Sequence, residues 1–573
     1  MVTLGCSKNL VDSEHLAGLL GKGSFKVTFD SSDTDFDVVI VNTCGFIGDA
    51  KEESVDTVLQ FARLRKSNRI KKLIVFGCLV QRYAKELAEE LPEVDKFFGA
   101  NDYEKIAEYL SEELIPQNKT LRQLSTLPHY AYLKISEGCD RFCSFCAIPY
   151  IRGRHVSEPI ESLVEQARAL ASQGVKELIV VAQDTTNYGK DIYGECRLVE
   201  LLKALAAIEG IEWIRLQYSY PNDFPFELID LMKNEPKICR YIDMPLQHID
   251  DRVLHSMNRH ITGKEIRTLI DRLREAIPDI CLRTTLIVGY PGETQEEFEK
   301  LKKFVEKTKF DRLGAFTYSA EEGTAAYNLT DDVAEEEKQH RLDTIIDIQQ
   351  RISYDLNQKK IGKTYKVLID RSEGEYWVGR TEYDSPEVDN EVLIPIEQKA
   401  EPGSFVMAKI NAAEEFDLYA DIAEDGNPDE QSAKEKNSEQ LTEDILEVLE
   451  TFVESDYKNQ TKDYPDYTIT VYTTKDHGEN IAEWDYTLKN SETFPIDASI
   501  VTGTTGNTFS ATSNSHSFVL SGEVASYLTQ GGTYVNQDIG YESNPLTYNT
   551  STTPLKADTT IADLLGGHEG GTQ

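Results

Sequence analysis

Two β-branched apolar runs set the frame of the chain's first third. Residues 36–44 (Phe36-Asp37-Val38-Val39-Ile40-Val41-Asn42-Thr43-Cys44) and 72–78 (Lys72-Leu73-Ile74-Val75-Phe76-Gly77-Cys78) are nearly unbroken in apolar character. Runs of that length, without alternation, predict strands covered on both faces. Helical spacing follows each, at about 49–65 and 81–91. The opening, Met1-Val2-Thr3-Leu4-Gly5-Cys6, reads as the end of a strand entering a helix. Only about four strand residues precede Cys6, where five or six are usual, so a shortened start is expected. Strand–helix alternation over residues 1–125 predicts an open parallel α/β sheet.

A charged stretch, about 101–128, is expected to link this region to the next. Further strands are predicted at 130–135, 177–182, 211–217, 240–244, 282–288 and 312–318. Helices are predicted between them at 158–173, 198–209, 225–233, 263–276 and 295–307. Six such units over 126–361 imply a partial (β/α)6 barrel. A trailing helix at 334–360 carries Leu342, Ile345, Ile346, Ile348, Ile352 and Leu356 as an apolar face. Five short strands follow at 364–370, 376–382, 391–395, 404–411 and 418–422, which predict a small antiparallel β-barrel over 362–424. Residues 425–440 read as a linker. The rest, 441–573, reads as an acidic β-rich extension, with a helix at 442–457 and strand-like pieces at 467–473, 517–520 and 532–536. It contains no recognisable chemical motif. Two readings of it stand: an accessory binding domain, or a segment joined by a fused or misassembled reading frame.

Charge narrows the partners. The 573 residues carry a formal net charge of −39, which disfavours stable binding to condensed phosphate and favours a basic protein partner. Residues 362–424 hold 15 Asp and Glu against 6 Lys and Arg, so the small barrel would have to meet nucleic acid against its own field. Residues 430–573 have no Cys and no Arg, and 23 acidic groups against 7 Lys. No basic-then-apolar leader and no window of about 18 apolar residues occurs. A cytoplasmic, reducing setting is therefore expected, with no membrane, in which clustered thiols ligate metal and do not form disulfides.

The chemistry lies in the cysteines. Cys6, Cys44 and Cys78 each end a strand of the first sheet, 38 and 34 residues apart, about one strand–helix–strand unit. Loops at the carboxyl ends of such strands share one edge, so the three thiols can converge on a metal with one position open. Three small buried cysteines is the plainer alternative. Cys139-Asp140-Arg141-Phe142-Cys143-Ser144-Phe145-Cys146 follows the first barrel strand. Its three thiolates can hold three irons of a cubane cluster and leave the fourth open. Zinc is the alternative; it normally takes four ligands, and only His155 lies near. Gln183 and Asp184 end the second barrel strand, Gln247 and His248 follow the fourth, and Gly289 and Gly292 follow the fifth. Gln183, Asp184, Gly289 and Gly292 are the candidates for holding a nucleoside-like cofactor, although each is also ordinary turn chemistry. His248 is more simply a structural histidine. Cys196, Cys239 and Cys281 fit no ligand spacing and are expected to be buried.

Together, these motifs resemble a known family. Cys139-x3-Cys143-x2-Cys146, with Phe145 before the last thiol, is similar to the radical S-adenosylmethionine enzymes. Leu4-Gly5-Cys6-Ser7-Lys8-Asn9, Asn42-Thr43-Cys44 and Gly77-Cys78 resemble their methylthiotransferase branch, which ends in a TRAM-type barrel. Val11-Asp12-Ser13-Glu14, Gln183-Asp184-Thr185-Thr186-x-Tyr188-Gly189 and Pro245-Leu246-Gln247-His248 resemble the members that modify an aspartate of the twelfth small-subunit ribosomal protein. The resemblance covers about residues 1–424. It implies two [4Fe–4S] clusters, one on each triad, and S-adenosylmethionine at the Cys139–Cys143–Cys146 site with Phe145 beside it. It also implies a 5′-deoxyadenosyl radical acting on the aspartate β-carbon, an external one-electron donor, and a sulfur source for the Cys6–Cys44–Cys78 cluster. The nearest rivals are methylthiolation of a transfer-RNA adenosine, which would need basic tracks, and a non-catalytic iron–sulfur carrier, which would not need two open sites.

Overall fold

A computed structural model describes residues 1–423 except 24, 32–35 and 112–118, and beyond them parts of 437–545, chiefly 460–489 and 513–520. The chain forms two compact units, Met1–Ala423 and Glu424–Gln573.

The first unit opens with β1 (Val2–Thr3), α1 (Ser7–Gly21), β2 (Val38–Thr43), α2 (Gly48–Lys66), β3 (Lys72–Gly77), α3 (Cys78–Glu90) and β4 (Lys96–Phe98). The four strands pair in parallel and in chain order. The apolar runs are unbroken because both faces are covered. Val39, Val41, Leu73 and Val75 pack with Val58 and Ala62 of α2. Ile40, Ile74 and Phe76 face Leu16, Leu19 and Leu20 of α1 and Ile106 beyond. The register sets Thr3 beside Asn42 and Thr43 beside Gly77, so the chain leaves each strand toward Cys6, Cys44 and Cys78 at one sheet edge. β4 falls just before the stretch expected to be a link, and the helix Tyr103–Ser111 falls within it. The strand has only three residues and the helix buries only Ile106 and Ala107, too little apolar periodicity to register.

Six strands then form one parallel sheet in chain order: Tyr130–Lys134, Glu177–Val181, Trp213–Leu216, Ile238–Asp243, Cys281–Val288 and Arg312–Thr317. The first and last do not pair, so the barrel is partial. Two of its helices, Gly263–Ala276 and Gln295–Thr308, begin with reciprocal capping boxes, Thr262 with Glu265 and Thr294 with Glu297. The Glu335–Gln358 helix buries Ile345, Ile348 and Ile352 against the barrel core. A six-residue helix, Asp251–Ser256, was not expected.

The strands Thr364–Glu373, Tyr376–Thr381, Glu391–Pro395, Phe405–Ala413 and Asp417–Ile422 close a small barrel. It corrects the expectation of a wholly antiparallel barrel: Glu391–Pro395 runs parallel to Asp417–Ile422, with Val392 beside Leu418. Alternation dictates which side chains face inward, here Val392, Ile394, Leu418 and Ala420, and is blind to strand direction.

In the second unit, Gln460–Asp463, Tyr467–Asp476, Glu479–Leu488 and Ser513–Leu520 form an antiparallel sheet. It contains the strands expected at 467–473 and 517–520. The helix expected at 442–457 lies almost wholly outside the described residues, as does the strand at 532–536. No helix among the described residues is long and apolar enough to cross a membrane.

Candidate functional site: two cysteine triads at one barrel mouth

The Cys139–Cys146 loop leaves the first barrel strand and is fixed from several sides. The Cys139 N–H donates to Gly153 O at 3.1 Å and the Cys146 N–H to Cys143 O at 3.0 Å. Ser144 donates to Met257 O through its N–H and to Ser256 O through its hydroxyl. Arg141 donates to Asp184 at 2.6 Å and stacks on Tyr220, 4.2 Å from the ring centre. The Cys143 thiol lies 3.8 Å from the Tyr220 hydroxyl and receives Arg259 Nη1 at 3.5 Å. Burial pushes the Cys139 thiol up to about 12, with Asp184 and Cys143 adding to the rise. Burial also raises Cys146, helped by Cys143. These thiols become thiolates only when something cationic compensates, as iron does. Phe142, Tyr218, Gln247, Asn258 and His260 hold left-handed φ of +48°, +59°, +73°, +57° and +52°, so strained backbone gathers in the loops of this mouth.

The second triad sits where α1, β2 and α3 meet. Cys6 is the N-cap of α1 and Cys78 the first residue of α3. Gly5 has φ +90°, and a Cβ there would fall 2.8 Å from Cys44 Cβ and 2.9 Å from its Sγ. Only glycine lets those two loops touch. Asn9 ties the set together: its amide donates to Leu4 O and Thr43 O at 2.9 and 3.2 Å, and the Cys78 thiol lies 3.7 Å from its Oδ1. Burial pushes Cys44 up to about 11, and Cys6 and Cys78 raise it further. Cys6, exposed as a residue, is lowered. Desolvation of its sulfur raises it, but Lys8, Arg152 and the N–H groups of Asn9 and Lys8 outweigh that rise.

Arg152, just past the barrel triad's loop, joins the two triads. Its Nε donates to Cys78 Sγ at 3.4 Å and its Nη2 to Asn9. Its Nη1 meets Asp12 at 2.8 Å, Glu137 at 3.0 Å and Asn101 at 3.3 Å. Lys134 binds the same Asp12 and Glu137, and Gln183 donates to Glu137 at 2.9 Å. Sequence reading missed Arg152, Glu137, Lys134, Asn9 and Arg259. Their significance is contact between residues up to 143 positions apart, which no local pattern carries.

The other expected residues fall in two groups. Gln183 lies on this network, and Phe145 packs beside Tyr290 and Tyr318. Asp184 is committed to Arg141 and to capping Thr186, so it orients the cluster loop. Gly289 has φ +69°, and a Cβ there would meet Lys338 at 2.3 Å. Gly292 donates its N–H to Asp332 at 2.6 Å and accepts from Arg252. Both shape the turn under the Glu335–Gln358 helix. His248 accepts from the Asp250 N–H at 3.0 Å and lies 3.5 Å from Glu293, and His155 contacts Ser157 at 3.0 Å. Cys239 and Cys281 are buried; Cys196 is only half-buried and donates to Thr186 O.

The mouth suits a polar cofactor. Gln183 Oε1, Ser219 Oγ, Gln247 Oε1 and Arg259 Nε are buried without a hydrogen-bond partner, and such atoms need an explanation, a bound ligand being one. Among the described residues, no three His, Cys, Asp or Glu side chains stand close enough to hold a single ion. The thiolates of a cubane each bind a different iron.

Comparison with known proteins identifies three regions. Residues 1–99 match Uncharacterized protein family UPF0004, residues 133–305 the Radical SAM superfamily, and residues 361–423 the TRAM domain. The ribosomal protein uS12 methylthiotransferase RimO of Phocaeicola vulgatus is 51% identical over 424 residues, which are 74% of this chain and 98% of that protein. The protein of the same name from Flavobacterium johnsoniae is 52% identical over 425 residues, 74% of this chain and 97% of it. The chain belongs to the uS12 methylthiotransferase family. Its central sheet is a radical SAM barrel and its small barrel a TRAM domain. Among solved structures, the radical S-adenosylmethionine methyltransferase TsrM of Kitasatospora setae aligns with a TM-score of 0.43 at 14% identity, over 70% of this chain and 80% of that one. That likeness is too loose to bear on function.

Proposed function

We propose that this chain methylthiolates ribosomal protein uS12, with one triad for radical generation and the other for sulfur. It is a radical SAM methylthiotransferase whose cofactors are S-adenosylmethionine and [4Fe–4S] clusters. The observation that carries the reading is Arg152, which follows the loop of one triad and touches Cys78 of the other. When bound, these cofactors supply one-electron cleavage of a sulfonium, a sulfur atom and a methyl group, chemistry no side chain offers.

The residues do the rest. Cys139, Cys143 and Cys146 would hold the cluster that leaves an iron open to S-adenosylmethionine. Arg259 and Tyr220 border Cys143 there, and Phe145, Gln183, Asp184, Gly289 and Gly292 shape the surroundings. Cys6, Cys44 and Cys78 would hold the second cluster, with Arg152 and the α1 N-terminus easing three thiolate charges. The target is an aspartate β-carbon, as the resemblance implies. The acidic TRAM barrel favours a basic partner, less strongly than composition suggests. Asp384 is buried against Arg312, and Asp389 against Arg283, both cations outside 362–424, so part of the excess of acidic groups there is internal. An external one-electron donor, a sulfur source and a cytoplasmic setting complete the reading.

The test is anaerobic incubation of the reconstituted chain with S-adenosylmethionine, reductant and, in parallel, uS12 or transfer RNA, followed by mass spectrometry of both. A methylthio group on uS12 and none on RNA is expected; the reverse would overturn the substrate.

A further inference from the structure

We propose that Lys8 receives the side-chain carboxylate of the residue being modified, and so selects an acidic target at the barrel mouth; this rests on the uS12 reading above. Lys8 lies in the first turn of α1, two residues after Cys6, and is buried. Its Nζ stands 3.4 Å from the centre of the Tyr218 ring. Tyr218 follows the third barrel strand and is held in place: its N–H donates to Asp243 at 3.0 Å and its carbonyl accepts from the Thr185 N–H at 3.1 Å. The ring packs with Val11, Tyr130, Tyr132, Ile179 and Val181 on the barrel's inner face. Lys8 therefore enters the barrel mouth from the sheet that carries the other triad.

What sets it apart is its lack of a counter-ion. Other buried cations of this unit have carboxylate partners, Arg152 with Asp12 and Glu137, Arg122 with Glu14, Arg215 with Glu177, and Arg312 with Asp384. Among the described residues, only Lys8 and Arg259 at the mouth are buried on a tyrosine face, beside a triad, without a carboxylate partner. Arg259 bonds Cys143 and belongs to the radical triad. A buried ammonium on an aromatic face is only partly compensated. Two donors beyond the one facing Tyr218 remain for an incoming anion. Ser7 and Ser219, sequence neighbours of the pair, also carry buried hydroxyls with no partner. The anion nearest within the chain is the Cys6 thiolate, which Arg152 and iron also engage when the triad holds its cluster. The substrate brings the other: a side-chain carboxylate on the very carbon chain to be attacked, small enough for a single enclosed cation. A carboxylate anchored there would hold the β-carbon between the two triads.

The experiment compares uS12 with its target Asp and with that Asp replaced by Asn, against the full reconstituted chain and Lys8→Met. Affinity is read by fluorescence anisotropy, and iron content and visible spectrum are read alongside. The wild type is expected to bind the Asp form at least about tenfold tighter than the Asn form, the lower range for a close charge pair. Lys8→Met is expected to bind both forms alike with its iron retained. The Lys8→Arg variant, which keeps the charge, should recover most of the preference. Absence of an Asp preference in the wild type, a preference unchanged in Lys8→Met, or a Lys8→Met chain that loses the iron of one triad would each overturn the assignment. The last would make Lys8 a cluster counter-ion. A wild type that leaves uS12 unmodified would instead overturn the function itself, so the two failures are distinguishable.

Discussion

Arg152→Met removes the side chain that reaches Cys78 from just past the barrel triad's loop. Arg152 is buried and meets Asp12, Glu137, Asn9, Asn101 and Cys78. Two routes give the size. Burial by itself would raise the Glu137 carboxyl, yet Lys134 and Arg152 overcome it and hold that group at about 2, below its ordinary 4.5. A depression of that size corresponds to about 3 kcal/mol for Lys134, Arg152 and Gln183 together, and so bounds the share of Arg152 from above. Breaking a buried pair costs about 3–5 kcal/mol, and Lys134 remains to both carboxylates, which favours the low end. The sign follows from the depressed carboxyl. The stabilisation is full above the ordinary carboxylate range and is lost as pH falls from about 4.5 toward 2. Without Arg152 the Glu137 value climbs back, so the variant should lose stability at neutral pH and begin acid unfolding at higher pH. About 3 kcal/mol in a unit this large shifts the melting point by roughly 4 °C. Scanning fluorimetry of the metal-free chain across pH 3–8, with thiol labelling of Cys78, reads both effects. A variant with the wild-type melting point, acid limb and Cys78 reactivity would refute the account of Arg152.

Other expectations follow from the same geometry. In Gly5→Ala the new Cβ would collide with Cys44, so reconstituted iron should fall from about eight to about four per chain, by colorimetric assay. Gly138→Ala places a Cβ 2.1 Å from Arg154 O at φ +75°, and should instead abolish deoxyadenosine formation, followed by chromatography. Asp370 is pushed up by burial, but Arg380 and His129 pull it down to about 2. Asp370→Asn should therefore cost on the order of 3 kcal/mol at pH 7 and progressively less as pH falls toward 2, by urea denaturation. A chain ended after Ala423, where the family matches stop, should methylthiolate uS12 at an undiminished rate.

The placement of the six thiols was legible in the sequence, because apolar runs announce the strands before Cys44 and Cys78 and close spacing keeps Cys139, Cys143 and Cys146 in one loop. The helix Tyr103–Ser111 was not, since it buries only Ile106 and Ala107. The parallel pairing of Glu391–Pro395 with Asp417–Ile422 was not, since alternation does not encode direction. Gly289 and Gly292 were read from their residue type as ligand-approach glycines; what residue type did not convey is that Lys338 and Asp332 lie beside them. Arg152, Glu137 and Lys134 look in sequence like ordinary surface charges. Only the fold shows that Asp12, from another domain's helix, makes them a buried network. Lys8 stood within a recognised motif, but its burial on the Tyr218 ring, with no carboxylate partner among the described residues, shows only in the fold.

The claim at the centre of this account is that the two triads do separate work in one reaction. The direct measurement is the pair Cys143→Ala and Cys44→Ala, each incubated with uS12, S-adenosylmethionine and reductant, and assayed for deoxyadenosine and for methylthiolated product. Cys143→Ala is expected to make neither. Cys44→Ala is expected to release deoxyadenosine and leave uS12 without sulfur. A Cys44→Ala chain that still inserts sulfur would contradict the account.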